Sequence, residues 1–228
     1  RQRAQLAYFE RKQMWKNHYS RNRKASIRRL AKYLDGLGCD RIFSLGSGTG
    51  RELEYLLQFR SFDTVFCSDL SLSPLQTIPY RLEPYDIQVG LFTSDLNNCP
   101  VKCKSIPVVI VAALHHTQDM HTTIEKLMTN GYENILFIEP TSNFVVRFFA
   151  NRGLAQRVEY SGVKPGRLEL KRLRAFCREH DYKLDVTTMW NFPLDYFRRI
   201  FGNSHAFRQV LLGFLNLVSR LTNLVKFG

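Results

Sequence analysis

Three glycines alternate along Leu45-Gly46-Ser47-Gly48-Thr49-Gly50, between an apolar run and a stretch of helical period. Glycines at such a junction let the chain turn tightly and let a ligand come close to the backbone. The N–H groups that open the following helix attract a carboxylate or a phosphate. Asp69 ends a second apolar run, 23 residues after Gly46. A carboxylate there can accept two hydrogen bonds from ribose hydroxyls. Asp95 follows a third run, and a fourth ends in Ala112-Ala113-Leu114-His115-His116. Imidazole titrates near neutral pH, so His115 and His116 are the candidate bases, with a plain loop hydrogen bond as the competing role for either.

These residues sit where strands end and helices begin. Buried-strand patterns cover Arg41–Gly46, Thr64–Asp69, Ile87–Phe92, Pro107–Ala113 and Asn134–Glu139. The continuous apolar run of the fourth suits a central parallel strand covered on both faces. Helical periods cover residues 1–34, Arg51–Phe59, Leu72–Leu82 with a break at Pro79, His121–Thr129, Leu168–His180 and Leu194–Phe201. A sixth strand is expected over Leu184–Met189. Residues 207–227 read as an amphipathic helix or as a closing seventh strand followed by a helix. The alternation predicts an α/β, Rossmann-like, doubly wound and mostly parallel seven-stranded sheet. A basic helical arm, 1–34, precedes a main domain, 35–228, which carries an insertion at about 141–173.

Charge divides the chain. Residues 1–34 hold 11 basic and 1 acidic side chains, 35–151 hold 8 and 13, and 152–228 hold 14 and 6. Basic flanks favour anionic partners: a phosphorylated substrate, nucleic acid or an anionic membrane surface. The basic residues Arg147, Arg152, Arg157, Lys164, Arg167, Lys171 and Arg172 could grip an anionic group. Hydrophobic residues make up 44% of the chain, enough for a sizeable core. No apolar run reaches the roughly 18 residues that span a bilayer, and residues 1–34 lack a signal-peptide pattern. The first residue, Arg1, is what a fragment of a longer chain would show. Five cysteines without a framework suit a reducing cytoplasm, with peripheral membrane association as the alternative. Cys99-x-x-x-Cys103 has no nearby partners, and no metal site is expected.

A dinucleotide fingerprint wants its third glycine at position 51, where this chain has Arg51. The spacing G-x-G-x-G instead resembles motif I of class I S-adenosylmethionine (SAM)-dependent methyltransferases. Asp69, Thr93-Ser94-Asp95-Leu96, Ala112–His116 and Glu139-Pro140 follow in the order and at the strand ends of that family, across roughly residues 41–140. The resemblance implies SAM as cofactor. It implies contacts from Gly46, Ser47, Gly48, Gly50, Asp69, Leu70, Asp95, Leu96 and Ala112, with Asp95 at the adenine amino group and Leu96 on the ring. It also implies that the N-terminal arm, with Trp15, His18 and Tyr19, resembles the family's lid helix. The chain departs from the pattern before the fourth strand, where Ile106-Pro107 replaces the usual acidic residue.

The acceptor is read by exclusion. No Asn/Asp-Pro-Pro-aromatic tetrapeptide follows the fourth strand, and no cysteine stands where cytosine-C5 enzymes hold their nucleophile. Nucleic acid is therefore unsupported by motif. The expectation is methyl transfer to O, N or C of a small or lipid-linked, anionic acceptor. The alternatives are a nucleic-acid-binding protein or RNA methyltransferase using the basic flanks, a NAD(P)-linked oxidoreductase, which Arg51 opposes, and a non-catalytic SAM-binding subunit. An oligomer is compatible with all of them. Trp190–Tyr196 is expected to pack in a core or to line an apolar pocket.

Overall fold

The computed structural model describes residues 16–99, 104–139 and 168–187, with positions 210, 213, 214, 217 and 221. The chain divides into two compact units, Arg1–Phe176 and Cys177–Gly228.

In the first unit, helix α1 (Lys16–Leu37) leads into β1 (Arg41–Leu45), α2 (Arg51–Leu57) and β2 (Thr64–Asp69). Then come α3 (Leu72–Leu75), α4 (Ile78–Leu82), β3 (Gln88–Thr93), β4 (Val108–Val111), α5 (Met120–Thr129) and β5 (Ile135–Ile138). Helix α6 (Leu170–Glu179) crosses the division between the units. The five strands form one sheet in the order β3-β2-β1-β4-β5, with every pair parallel. This is the parallel, doubly wound arrangement expected from the alternating pattern. Crossovers between parallel strands are right-handed, so connections running toward β3 and toward β5 lie on opposite faces.

The core follows that rule. Ile27, Leu30, Ala31 and Leu34 recur at helical spacing on α1 and are all buried. They join Leu53 and Leu56 of α2, Leu75 of α3, Ile78 and Leu82 of α4, and Ile42, Val65, Cys67 and Val109 of the sheet in one cluster. On the other sheet face Phe43 stacks near Phe66 and Phe92, with ring centroids 6.2 and 5.1 Å apart. Residues Val108, Val109 and Ile110 of the central strand β4 are all buried. Only a strand covered on both sides needs apolar residues at successive positions.

Several boundaries differ from the sequence reading. The helix expected to end at 34 runs through Gly36 to Leu37, and the N–H of Gly38 donates back to Asp35 O at 3.1 Å. Residues 1–15 lie outside the described residues. The helix expected over 72–82 is two helices. The expected break is there: α3 ends at Leu75, and Pro79 lies in the first turn of α4, where its missing N–H leaves no bond unmade. Among the described residues the sheet has five strands; 184–187, within the expected sixth strand, are irregular, and most of the span of the expected seventh lies outside the described residues. In the second unit, Val210, Gly213, Phe214, Leu217 and Leu221 are helical, which favours a helix over a strand at those positions. Val210, Phe214, Leu217 and Leu221 are exposed. The expected helix Leu194–Phe201 and the segment Trp190–Tyr196 lie outside the described residues.

Candidate functional site

The strand order reverses between β1 and β4, and ligands in open parallel sheets bind outside the carboxyl ends of the strands at such a point. The turn after β1 forms one flank. Gly46 and Gly48 have φ of +66° and +52°, in the left-handed region. At Gly46 a Cβ would overlap the Ala113 methyl, so the β1 turn and the β4 loop touch there. At Gly48 a Cβ would meet nothing within 4 Å, so this backbone faces open space. Ser47 braces the turn: its N–H donates to Ser68 O at 2.8 Å, and its hydroxyl bonds Ser44 O and Ser44 Oγ at 2.9 and 3.0 Å. Below it, burial pushes the Cys67 thiol up to about 12, against a smaller opposite pull from the Ser47 hydroxyl. Arg81, from α4, donates from Nε to Thr49 O at 2.9 Å and from Nη1 to Glu54 Oε2 at 2.6 Å.

The ends of β2 and β3 complete this flank. Asp69 Oδ2 accepts the Gly48 N–H at 2.8 Å and Oδ1 accepts the Ser71 N–H at 3.1 Å. Each carboxylate oxygen has two lone pairs, so one on each remains for a pair of ligand hydroxyls. Leu70 beside it is 76% exposed, an apolar face at the rim. Asp95 Oδ1 accepts from Asn97 N and Nδ2 at 2.9 and 2.7 Å, which orients the side chain. Leu96 reaches toward the Gly46 turn. A hydroxyl–hydroxyl bond between Ser68 and Ser94 ties the β2 and β3 ends together.

The other flank is the loop after β4. Ala112 adopts φ +53°, a conformation that L residues avoid and that surrounding structure must impose. Part of that imposition comes from Glu139, just past β5. Its Oε1 accepts the N–H groups of Ala113 and Leu114, both at 2.7 Å. Its Oε2 lies 2.8 Å from His115 Nδ1, and its side chain is fully buried. His115 is buried and His116 exposed, with ring centroids 4.1 Å apart. Helix α5 then starts at Asp119, whose side chain accepts the His121 N–H at 2.9 Å. Burial pushes the Asp119 carboxyl up, but the His121 N–H, the Thr122 hydroxyl and Arg172 outweigh it and lower it to about 2.

The structure thus gathers Gly46, Ser47, Gly48, Gly50, Asp69, Leu70, Asp95, Leu96, Ala112, His115 and His116 at the carboxyl end of the sheet. Arg172, a candidate for gripping an anionic acceptor, is instead paired with Asp119 and Glu125 at 3.3 and 3.5 Å. Arg147, Arg152, Arg157, Lys164 and Arg167 lie outside the described residues, as do Cys103, Trp15 and the side chains of His18 and Tyr19. Among the described residues no group of three metal-ligating side chains occurs. Sequence reading missed the roles of Arg81 and Glu139. Glu139 was legible as a strand-end residue of the resemblance, but not as the partner of His115 and the β4 loop.

The residues present fit a nucleoside bearing an amino-acid tail. The glycine turn is open at Gly48, Asp69 keeps lone pairs for a diol, and Leu70 offers an apolar face. No protein-family model and no curated protein matches the sequence. Solved structures match it in shape. The YcgJ protein from Bacillus subtilis has a TM-score of 0.58 at 14% identity, over 84% of this chain and 82% of its own. Magnesium protoporphyrin IX methyltransferase from Synechocystis PCC 6803, with bound SAH, has a TM-score of 0.56 at 16% identity, over 74% of this chain and 77% of its own. A protein from Bacillus halodurans C-125 whose structure is titled that of a putative methyltransferase has a TM-score of 0.54 at 16% identity, over 76% of this chain and 77% of its own. At these identities the likeness is one of architecture, the parallel, Rossmann-like α/β fold that this chain shares with these structures.

Proposed function

We propose that this chain binds SAM at the β1–β2 flank and transfers its methyl group to a small or lipid-linked, anionic acceptor held beside the β4 loop. One observation carries the reading: Asp69 ends β2 hydrogen-bonded to the N–H of Gly48, in a left-handed turn open to a ligand at the switch point of the sheet. In this reading the Asp69 carboxylate takes the ribose diol. Leu70 and Leu96 flank the adenine, Asp95 meets its amino group, and the Gly46–Gly50 turn leaves room for the methionine tail. When bound, SAM supplies a methyl group activated on a sulfonium, and the sulfur keeps the bonding pair. The chain's part is to place the acceptor atom in line and to take up its proton where it has one. The excess of basic side chains over residues 152–228, 14 against 6 acidic, supports an anionic acceptor.

Calorimetry with SAM tests the reading. Asp69→Ala removes the diol acceptor and the partner of Gly48 N–H. Each lost bond is worth about 1 kcal/mol, so affinity should fall roughly tenfold to a hundredfold. Unchanged affinity in the variant, or no binding by the wild type, overturns the proposal.

A further inference from the structure

We infer that Val210, Phe214, Leu217 and Leu221 form a stripe that enters the headgroup region of an anionic bilayer, with their segment lying in the plane of the membrane. The inference goes beyond the methyl-transfer reading and does not rest on it. Where both hold, a lipid-linked acceptor is favoured over a free one.

All four positions are helical. Their spacing of four, three and four residues puts them within about 60° of one another around a helix axis. Each side chain is large and apolar, and each is exposed, at 70, 58, 54 and 52% in chain order. A single exposed leucine needs no explanation, but four large apolar side chains in register on one face do. A helix docked on its own core turns such a stripe inward. Here the stripe faces out.

Charge decides what covers it. Residues 196–228 carry Arg198, Arg199, Arg208, Arg220 and Lys226, with no Asp or Glu among them. A second copy pairing through the stripe would bring these cations against their own kind, with no carboxylate in the segment to offset them. An anionic lipid surface meets both features. The apolar side chains leave water, and the lysine and arginines meet headgroups of opposite sign. From Val210 to Leu221 a helix rises about 17 Å, well short of the roughly 30 Å of hydrocarbon in a bilayer. No helix among the described residues is long and apolar enough to cross a membrane. The geometry is therefore that of a segment resting in the interface.

Co-sedimentation of the full chain with vesicles tests the inference. Vesicles of phosphatidylcholine and phosphatidylglycerol in equal parts should carry down most of the protein, and vesicles of phosphatidylcholine alone should leave most of it in the supernatant. Phe214→Ser combined with Leu217→Ser should weaken partitioning onto the mixed vesicles at least about tenfold. Phe214→Leu keeps the stripe apolar and should bind within about twofold of the wild type. If the serine pair does not fold, Leu221→Ser alone carries the same test, with an expected loss of about threefold. Equal recovery with the two vesicle types overturns the inference. So does undiminished binding by the serine variants, which would leave the basic residues alone as the anchor, or a loss in Phe214→Leu as large as in the serine pair. Sedimentation equilibrium without lipid should give wild type and serine pair the same mass. A wild-type dimer that the pair dissolves would assign the stripe to a second copy and overturn the inference. Calorimetry with SAM, which decides the methyl-transfer reading, is a separate result.

Discussion

The two flanks of the switch point are built by different means. The β1 flank is made of backbone: left-handed glycines, the N–H of Gly48 and one carboxylate, Asp69. The β4 flank is made of side chains: an alanine held at φ +53°, a histidine and a buried glutamate reaching back from β5. Backbone donors suit recognition of a ligand that keeps its charge. A buried carboxylate against an imidazole and two backbone N–H groups holds a loop in one conformation. The difference teaches that one end of a sheet can combine a turn open to a ligand with a loop locked by buried side chains.

Gly46 joins the two flanks, and its substitution should have the largest effect. Gly46→Ala combines a left-handed backbone with overlap of the Ala113 methyl, and should destabilise the protein by about 3 kcal/mol in urea denaturation. A loss below about 1 kcal/mol would show that the flanks are not packed on each other. The next effect belongs to the floor beneath the β1 flank. The Cys67 thiol rises from 9.0 to about 12 on folding, so the unfolded chain loses this proton first. Stability conferred by the buried thiol is therefore complete below pH 9.0 and is lost as pH rises toward about 12, by about 1.4 kcal/mol per unit. Urea midpoints at pH 8, 9 and 10 should fall less steeply in Cys67→Ala, and equal slopes would show that the floor is wet. The smallest effect is expected at Gly48→Ala, where nothing lies in the way of a Cβ but φ stays left-handed. A loss of about 1 kcal/mol in the same assay separates backbone strain from packing at neighbouring glycines.

Legibility followed the same division. The apolar runs located β1 to β5 to within about two residues, because a strand covered on both faces needs apolar side chains wherever it sits. The glycine spacing, Asp69 and the histidines marked the candidate site, because turns and strand ends are local chemistry. Pro79 marked the break between α3 and α4 because a proline cannot sit in a helix interior and is at home in a first turn. Leu184–Met189 has an alternating pattern, yet 184–187 are irregular, since the pattern by itself does not impose a strand.

By itself the sequence determined the strand and helix succession, the open glycine turn and the carboxylate at its side, because periodicity and backbone conformation are set by near neighbours. Only the tertiary structure decided that Glu139 would meet His115 across 24 residues, that Arg81 would close on Thr49 across 32, and that the Ser47 hydroxyl would turn inward to Ser44. Those contacts depend on which strands become adjacent and on which way each side chain leaves the pleat, and both are fixed only when the sheet assembles.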